Sequence, residues 1–452
     1  MISARRCLSP LRWLVVVLVA GAAVSAELPK GSLIEKVACG TDEAQTYALY
    51  LPTGFNVTRR WPVLFCFDPG GRGRVPVERF MAAAEKFGYI VAGSNNSRNG
   101  PWEANAAAVN AMVRDVDAHL PLDPKRVYVA GLSGGARVAC QVAMTGIAQG
   151  VVACSAGFMG NEAPDKIPFA FFGTAGTTDF NYLEMRRLER ELDDRRVVHR
   201  IVFHDGGHEW LSPELALEAL AWLDLQAMRT GATPRDETWI LSRFEARVTA
   251  LPAAPAGEVL RAVKSLATDF RGLVDTAEWE KKAAELGASR EVRDWAQAER
   301  VRERREESLG AELLSWIRDG YRAGVKKTGA ELRAKSEAAA DAAERQMATR
   351  VLQGVYTSCS ETARDLLRRE SYAEAEPVLE MMVLLRPDRP QAHFDLARCR
   401  ARGGDRKGAI ASLQQAAAAG FNDAARVETD AAFAGYRKEP AFLDVLSAMR
   451  AD

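Results

Sequence analysis

The sequence predicts an α/β chain, with a mostly parallel sheet flanked by helices followed by an all-α region that ends in repeated helix pairs. Three observations predict it. Over the first half, short apolar runs at residues 62–67, 89–93 and 126–130 alternate with helical stretches, and runs this apolar belong to strands covered on both faces. After the turn-rich residues 230–234, strand-like runs stop and Ala, Arg, Glu and Lys take over with helical periodicity. Towards the end, Ala363 and Ala397, Ala375 and Ala409, and Leu379 and Leu413 are each offset by 34 residues, a spacing of paired helices.

A chain of 452 residues exceeds one ordinary core. The expected division is a leader at 1–26, an α/β domain at 27–229, a helical region at 235–353, and repeats with a closing segment at 354–452. The leader reading rests on Arg5, Arg6 and Arg12, an apolar stretch at 14–20, and the small residues Val24-Ser25-Ala26 before Glu27. That is the pattern of a secretory signal, its apolar core short for a membrane span, and it implies a periplasmic or secreted protein with no span after cleavage. The 60 basic and 60 acidic side chains cancel, and no basic field argues for nucleic acid. Of seven cysteines, Cys7 leaves with the leader. Cys39, Cys66, Cys140, Cys154, Cys359 and Cys399 are scattered without a CxxC pair, so neither a disulfide framework nor a metal site is expected. Five histidines, none at zinc spacing, point the same way, and the chemistry calls for no cofactor.

Taken in order, residues 33–37 and 45–51 read as an opening hairpin around Gly40-Thr41-Asp42-Glu43. The apolar strand 62–67 runs into Asp68-Pro69-Gly70-Gly71-Arg72-Gly73, followed by a helix at 77–87 and a strand at 89–93. The polar loop at 94–102 comes next. Its Asn95, Asn96, Arg98 and Trp102 are candidate substrate-binding side chains, because α/β sheets hold ligands beyond the carboxyl ends of their strands. A helix at 104–120 leads to the strand 126–130 and to Gly131-Leu132-Ser133-Gly134-Gly135, a G-x-S-x-G pentapeptide between a strand and a helix. There the serine sits on a strained turn and its hydroxyl is held clear of the sheet. Strands at 151–154, 169–173 and 197–203 follow. The loop after the second carries Asp179, and the loop after the third carries His204-Asp205-Gly206-Gly207-His208-Glu209-Trp210. A serine needs a base to take its proton, and the base needs a carboxylate to fix its tautomer. Ser133, Asp179 and His208 are the candidates, with His204 read as a structural strand end and Asp205 as a turn former.

The serine pentapeptide and the chain order Ser133, Asp179, His208 resemble the α/β-hydrolase fold. With the Asp-Pro-Gly-Gly turn, the Asn-rich loop and Gly-Gly-His-Glu-Trp, residues 33–228 are similar to secreted feruloyl esterases and polyhydroxybutyrate depolymerase-like enzymes. The resemblance implies hydrolysis of a carboxylic ester, small or polymer-derived, through an acyl-enzyme. It also implies an oxyanion hole built from the N–H of Gly134 and of either Gly70 or Gly71. The chain departs from the family where Asp68-Pro69 stands in place of the usual His-Gly. The 34-residue offsets resemble tetratricopeptide repeats over about residues 354–422, which implies a protein partner. Two other functions stay open: a serine peptidase of the same fold, and an inactive hydrolase-like binding protein acting through its repeats. Residues 27–232 are expected to fold and work alone, the alternative being that the helical remainder braces them. Trp279, Trp295 and Trp316 are expected to anchor helix packing.

Overall fold

The computed structural model describes residues 28–160 and 162–450, so the leader at 1–26 lies outside the described residues. Eight strands form one sheet: β1 (Leu33–Cys39), β2 (Asp42–Tyr50), β3 (Trp61–Phe67), β4 (Ile90–Ser94), β5 (Leu122–Leu132), β6 (Gly150–Cys154), β7 (Ala170–Gly176) and β8 (His199–His204). Their order is β1-β2-β4-β3-β5-β6-β7-β8. β2 runs antiparallel to both β1 and β4, and every other pairing is parallel.

The helices α1 (Arg74–Phe87), α2 (Trp102–His119), α3 (Gly134–Met144), α4 (Tyr182–Asp194) and α5 (Pro213–Arg229) cover the two faces. All seven residues of β3 are buried, and they alternate. Phe65 and Phe67 join a core with Met112 of α2, Ala139 of α3 and Leu188 of α4, while Leu64 and Cys66 join one with Phe80 of α1 and Trp222 of α5. This period of two between two apolar layers is why a continuous hydrophobic run is the right sequence for a central strand.

The boundaries differ from the sequence expectation where pairing extends an element. β7 continues through Thr174, Ala175 and Gly176 because Gly176 still pairs with His204 of β8. The acid-bearing loop is therefore shorter and more tightly held than its composition implies. α1 starts at Arg74 rather than 77. The helical stretch over residues 327–353 is divided between two helices, because Asp341 caps a new start by accepting the N–H of Ala343.

The second half is helical: α6 (Glu237–Thr249), α7 (Ala256–Phe270), α8 (Ala277–Ala288), α9 (Arg290–Arg318), α10 (Arg322–Ala338), α11 (Ala342–Arg368), α12 (Tyr372–Leu385), α13 (Pro390–Arg402), α14 (Arg406–Ala418), α15 (Ala424–Thr429) and α16 (Pro440–Arg450). No helix among the described residues is long and apolar enough to cross a membrane. The alanines spaced 34 apart, Ala363, Ala397, Ala375 and Ala409, are all buried where neighbouring helices cross. Small side chains there let the helix axes approach.

This half packs back onto the sheet domain. The Nε1–H of Trp222 on α5 donates to Asp269 of α7 at 2.6 Å, and Leu225 of α5 shares a core with Ile240, Leu266, Phe270 and Leu273. Arg261 of α7 pairs with Glu189 of α4 at 2.8 Å, and α9 supplies Glu303 to Arg190 and Glu307 to Arg187. Trp295 of α9 lies against Gly257 of α7, where an added Cβ would come within 2.0 Å of its ring, so the tryptophan is a packing anchor.

Candidate active site

Ser133 ends the turn between β5 and α3 with φ 55° and ψ −121°, a conformation that costs a non-glycine residue on the order of 1–3 kcal/mol. The flanking glycines are dictated by sterics. A Cβ at Gly131 would lie 2.0 Å from the Gly135 carbonyl oxygen, and one at Gly135 would lie 1.9 Å from that of Phe67. The Ser133 N–H donates to Cys154 O at 2.9 Å, which ties the turn to β6. Its hydroxyl makes no hydrogen bond among the described residues. The Gly134 N–H, in the first turn of α3, is likewise without a partner there, as the donors of a first helical turn are.

Asp179 is fully buried on the loop after β7. Its Oδ1 lies 2.8 Å from Nδ1 of His208 and also accepts the N–H of Asn181 at 2.8 Å. Because a carboxylate only accepts, the proton of this neutral imidazole sits on Nδ1, and Nε2 is left with its lone pair. The ring of Phe180 stacks on His208 at 4.1 Å and 25°. The two loops are sewn together: Thr177 N–H donates to His204 O, while the N–H and hydroxyl of Thr178 both reach Gly206 O. A Cβ at Gly176 would sit 2.2 Å from Gly206 O, so glycine is required for that approach. Asp205 is exposed, its carbonyl oxygen lies 3.1 Å from His204 Nδ1, and its side chain has no partner among the described residues. Ser133, Asp179 and His208 therefore lie on loops at the carboxyl ends of β5, β7 and β8.

The turn after β3 corrects one expectation. The Gly70 N–H donates to Asp68 Oδ1 at 2.8 Å and the Gly71 N–H to Asp68 O at 3.0 Å, so both proposed oxyanion donors are spent inside the turn. The residue that spends them is Asp68, the last before Pro69 in that turn. Asp68 is fully buried and also accepts from Arg72 at 2.8 and 3.1 Å and from Trp210 Nε1 at 2.9 Å. Burial pushes its carboxyl up, but the bonds from Arg72, Trp210 and Gly70 outweigh it and hold the carboxyl below its usual value. Its stabilising contribution is thus complete above the ordinary carboxylate range and is lost as pH falls through the lowered value. Trp210 follows His208 by two residues, so Asp68 locks the β3 turn to the histidine loop. Trp210→Phe keeps the ring's bulk and removes that donor. We expect it to lower stability by about 2 kcal/mol, read as a lower urea midpoint with an unchanged slope.

The Asn-rich loop divides. Asn95 accepts the Gly73 N–H and donates to Glu35 O and Thr46 Oγ1, and Asn96 accepts the Thr46 N–H and donates to Ala44 O. Both amides are consumed in bracing the loop against β2, which corrects their expected role in substrate binding. Trp102 starts α2 and packs on the core beneath the sheet, so it is an anchor. Arg98 stays exposed beside the β3 turn, its backbone bridging that of Gly70. The residue passed over is Asn99. Its side-chain Oδ1 fills the space a Cβ on Gly134 would take, 1.9 Å from that position, and the side chain is otherwise unbonded among the described residues. The signal was its membership of the same loop; its contact with the serine turn depends on the fold.

Residues 366–429 match the tetratricopeptide-repeat family. No curated protein matches the chain. Among solved structures, the fluorophosphonate-binding serine hydrolase FphF of Staphylococcus aureus is 14% identical, with TM-score 0.35, over 43% of this chain and 99% of its own. The S-formylglutathione hydrolase FrmB of the same organism is 15% identical, with TM-score 0.36, over 43% and 98%. A ferulic acid esterase is 17% identical, with TM-score 0.36, over 42% and 97%. The sheet order and the serine turn of this chain are those of an α/β-hydrolase fold.

Proposed function

We propose that this chain, an α/β-hydrolase fold joined to a tetratricopeptide repeat, is an exported serine hydrolase that cleaves a carboxylic ester through an acyl-enzyme. The observation that carries this reading is the 2.8 Å bond from His208 Nδ1 to the buried Asp179, on the same end of the sheet that presents Ser133 at φ 55°. In the reaction, Ser133 Oγ attacks the ester carbonyl while His208 Nε2 takes its proton. Asp179 holds the tautomer and stabilises the imidazolium that results. The oxyanion is met by the Gly134 N–H, which has no partner among the described residues, with the Asn99 side chain beside it. Such a donor is worth about a hundred- to thousandfold in rate. His208 then returns the proton to the leaving alcohol, and water, activated by the same imidazole, releases the acid. Arg98, exposed beside the β3 turn, is the side chain proposed to touch the substrate at the rim. The repeat supports a protein partner for the C-terminal half, and the leader at 1–26 supports a periplasmic or secreted location.

The test is labelling of the purified mature chain by a fluorophosphonate probe, followed by turnover of acyl and aryl esters beside aminoacyl amides. We expect labelling that disappears in Ser133→Ala, and ester turnover that falls by several orders of magnitude in that variant with the fold retained. Labelling that persists in Ser133→Ala would sink the assignment. Faster turnover of amides than esters would move the reading to a peptidase, and an unlabelled wild-type chain to a binding protein.

A further inference from the structure

α11 spans 27 residues, about 40 Å of helix; residues from Met347 to Ala363 pack into the helical core, and its first half also meets the acid loop. Its later residues Cys359 and Ala363 belong to the core shared with α12 and α13. Its earlier residues lie on the loop that carries Asp179. There Arg350 is buried, and its Nε and Nη2 form a two-point pair with Glu306 of α9 at 2.8 and 2.5 Å. The remaining Nη1 donates to the carbonyl oxygen of Thr177 at 2.6 Å, and the guanidinium lies 4.5 Å over the ring of Tyr182. Thr177 and Tyr182 bracket Asp179, so one side chain grips both ends of the acid loop. One helical turn on, Gly354 faces Phe180, where an added Cβ would stand 3.4 Å from the Phe180 Cβ. Phe180 in turn stacks on His208.

We propose that Arg350 and Gly354 are positioning residues for catalysis, so that the helical half completes the hydrolase site by holding the Asp179–Phe180–His208 arm. The proposal rests on the serine hydrolase reading. A buried ion pair is a poor way to add stability, since well-packed apolar side chains of similar volume serve as well. What the pair supplies is a fork of fixed direction, with Glu306 orienting Arg350 so that its third nitrogen meets Thr177 O. The catalytic arm needs such fixing, because a displacement of about 1 Å costs on the order of a hundredfold in rate. At Gly354, any side chain beyond a methyl group would press on Phe180 and through it on the imidazole.

The experiment uses the full mature chain as wild type, Arg350→Gln, Arg350→Lys and Gly354→Leu. It measures kcat and KM on an activated ester, the fluorophosphonate labelling rate, and the thermal midpoint. Arg350→Gln is expected to lower kcat and labelling by about 10- to 100-fold with KM within about twofold, because substrate contacts are untouched. Arg350→Lys, which can still donate to Thr177 O, should recover part of that loss. Gly354→Leu leaves no charge unpaired and favours the helix, and it should lower kcat by displacing Phe180 while the midpoint stays near wild type. If Arg350→Gln does not fold, Arg350→Lys and Gly354→Leu decide. Folded variants with wild-type kcat and labelling overturn the proposal alone, and a wild-type chain that fails to label overturns the serine hydrolase reading together with it.

Discussion

Asp179→Asn is expected to lower kcat on an activated ester by about three to four orders of magnitude, while Asp205→Asn stays within about threefold of wild type. The difference comes from what each carboxylate touches. Asp179 is fully buried and its Oδ1 meets the Nδ1–H of His208 at 2.8 Å, whereas the Asp205 side chain is exposed with no partner among the described residues. An amide at 179 can turn its NH2 towards Nδ1, forcing the ring proton onto Nε2, where the serine needs a lone pair. It also removes the negative charge that stabilises the imidazolium. Steady-state kinetics of both variants, with thermal midpoints to show that each is folded, makes the comparison. A larger loss in Asp205→Asn than in Asp179→Asn would reassign the acid.

Cutting the chain after residue 232 is expected to yield a fragment that is insoluble, or folded but at least about 100-fold less active than the mature protein. This reverses the expectation drawn from sequence, which located every catalytic group before the linker and concluded that the first half works alone. The cut exposes Leu225 and Trp222 of α5, which α6 and α7 otherwise cover, and each large apolar side chain returned to water costs about 2 kcal/mol. It leaves the largely buried Arg200 of β8 without Asp269, 3.8 Å away. It also removes Arg350, the grip on the acid loop. Soluble yield, thermal unfolding and ester turnover of residues 27–232, alone and mixed with residues 235–452, give the answer. Recovery of activity on mixing supports the brace, and a soluble fragment with full turnover would make the helical half a detachable module.

The sequence by itself determined the elements whose signals are local. A strained serine turn needs glycines on both sides within a few residues, fully apolar runs mark strands covered on both faces, and buried alanines recur with the period of a helix pair. Ser133, Asp179 and His208 were legible for that reason: each follows a recognisable strand, and parallel strands put their following loops at one end of the sheet. Only the tertiary structure decided which polar groups are free. The Gly70 and Gly71 N–H groups are spent because Asp68 turns back on its own loop, and Asn95 and Asn96 are spent on β2 and α1, which are distant in sequence. Asn99, one loop residue among several, meets Gly134 because the loops after β4 and β5 converge across the end of β3, which lies between them. Arg350 lies 173 residues from Thr177, and in a helix rich in arginine nothing local sets it apart. Periodicity and turn chemistry act over a few residues and can be read along the chain, whereas hydrogen-bond satisfaction is settled by whichever partner the folded chain brings within about 3 Å.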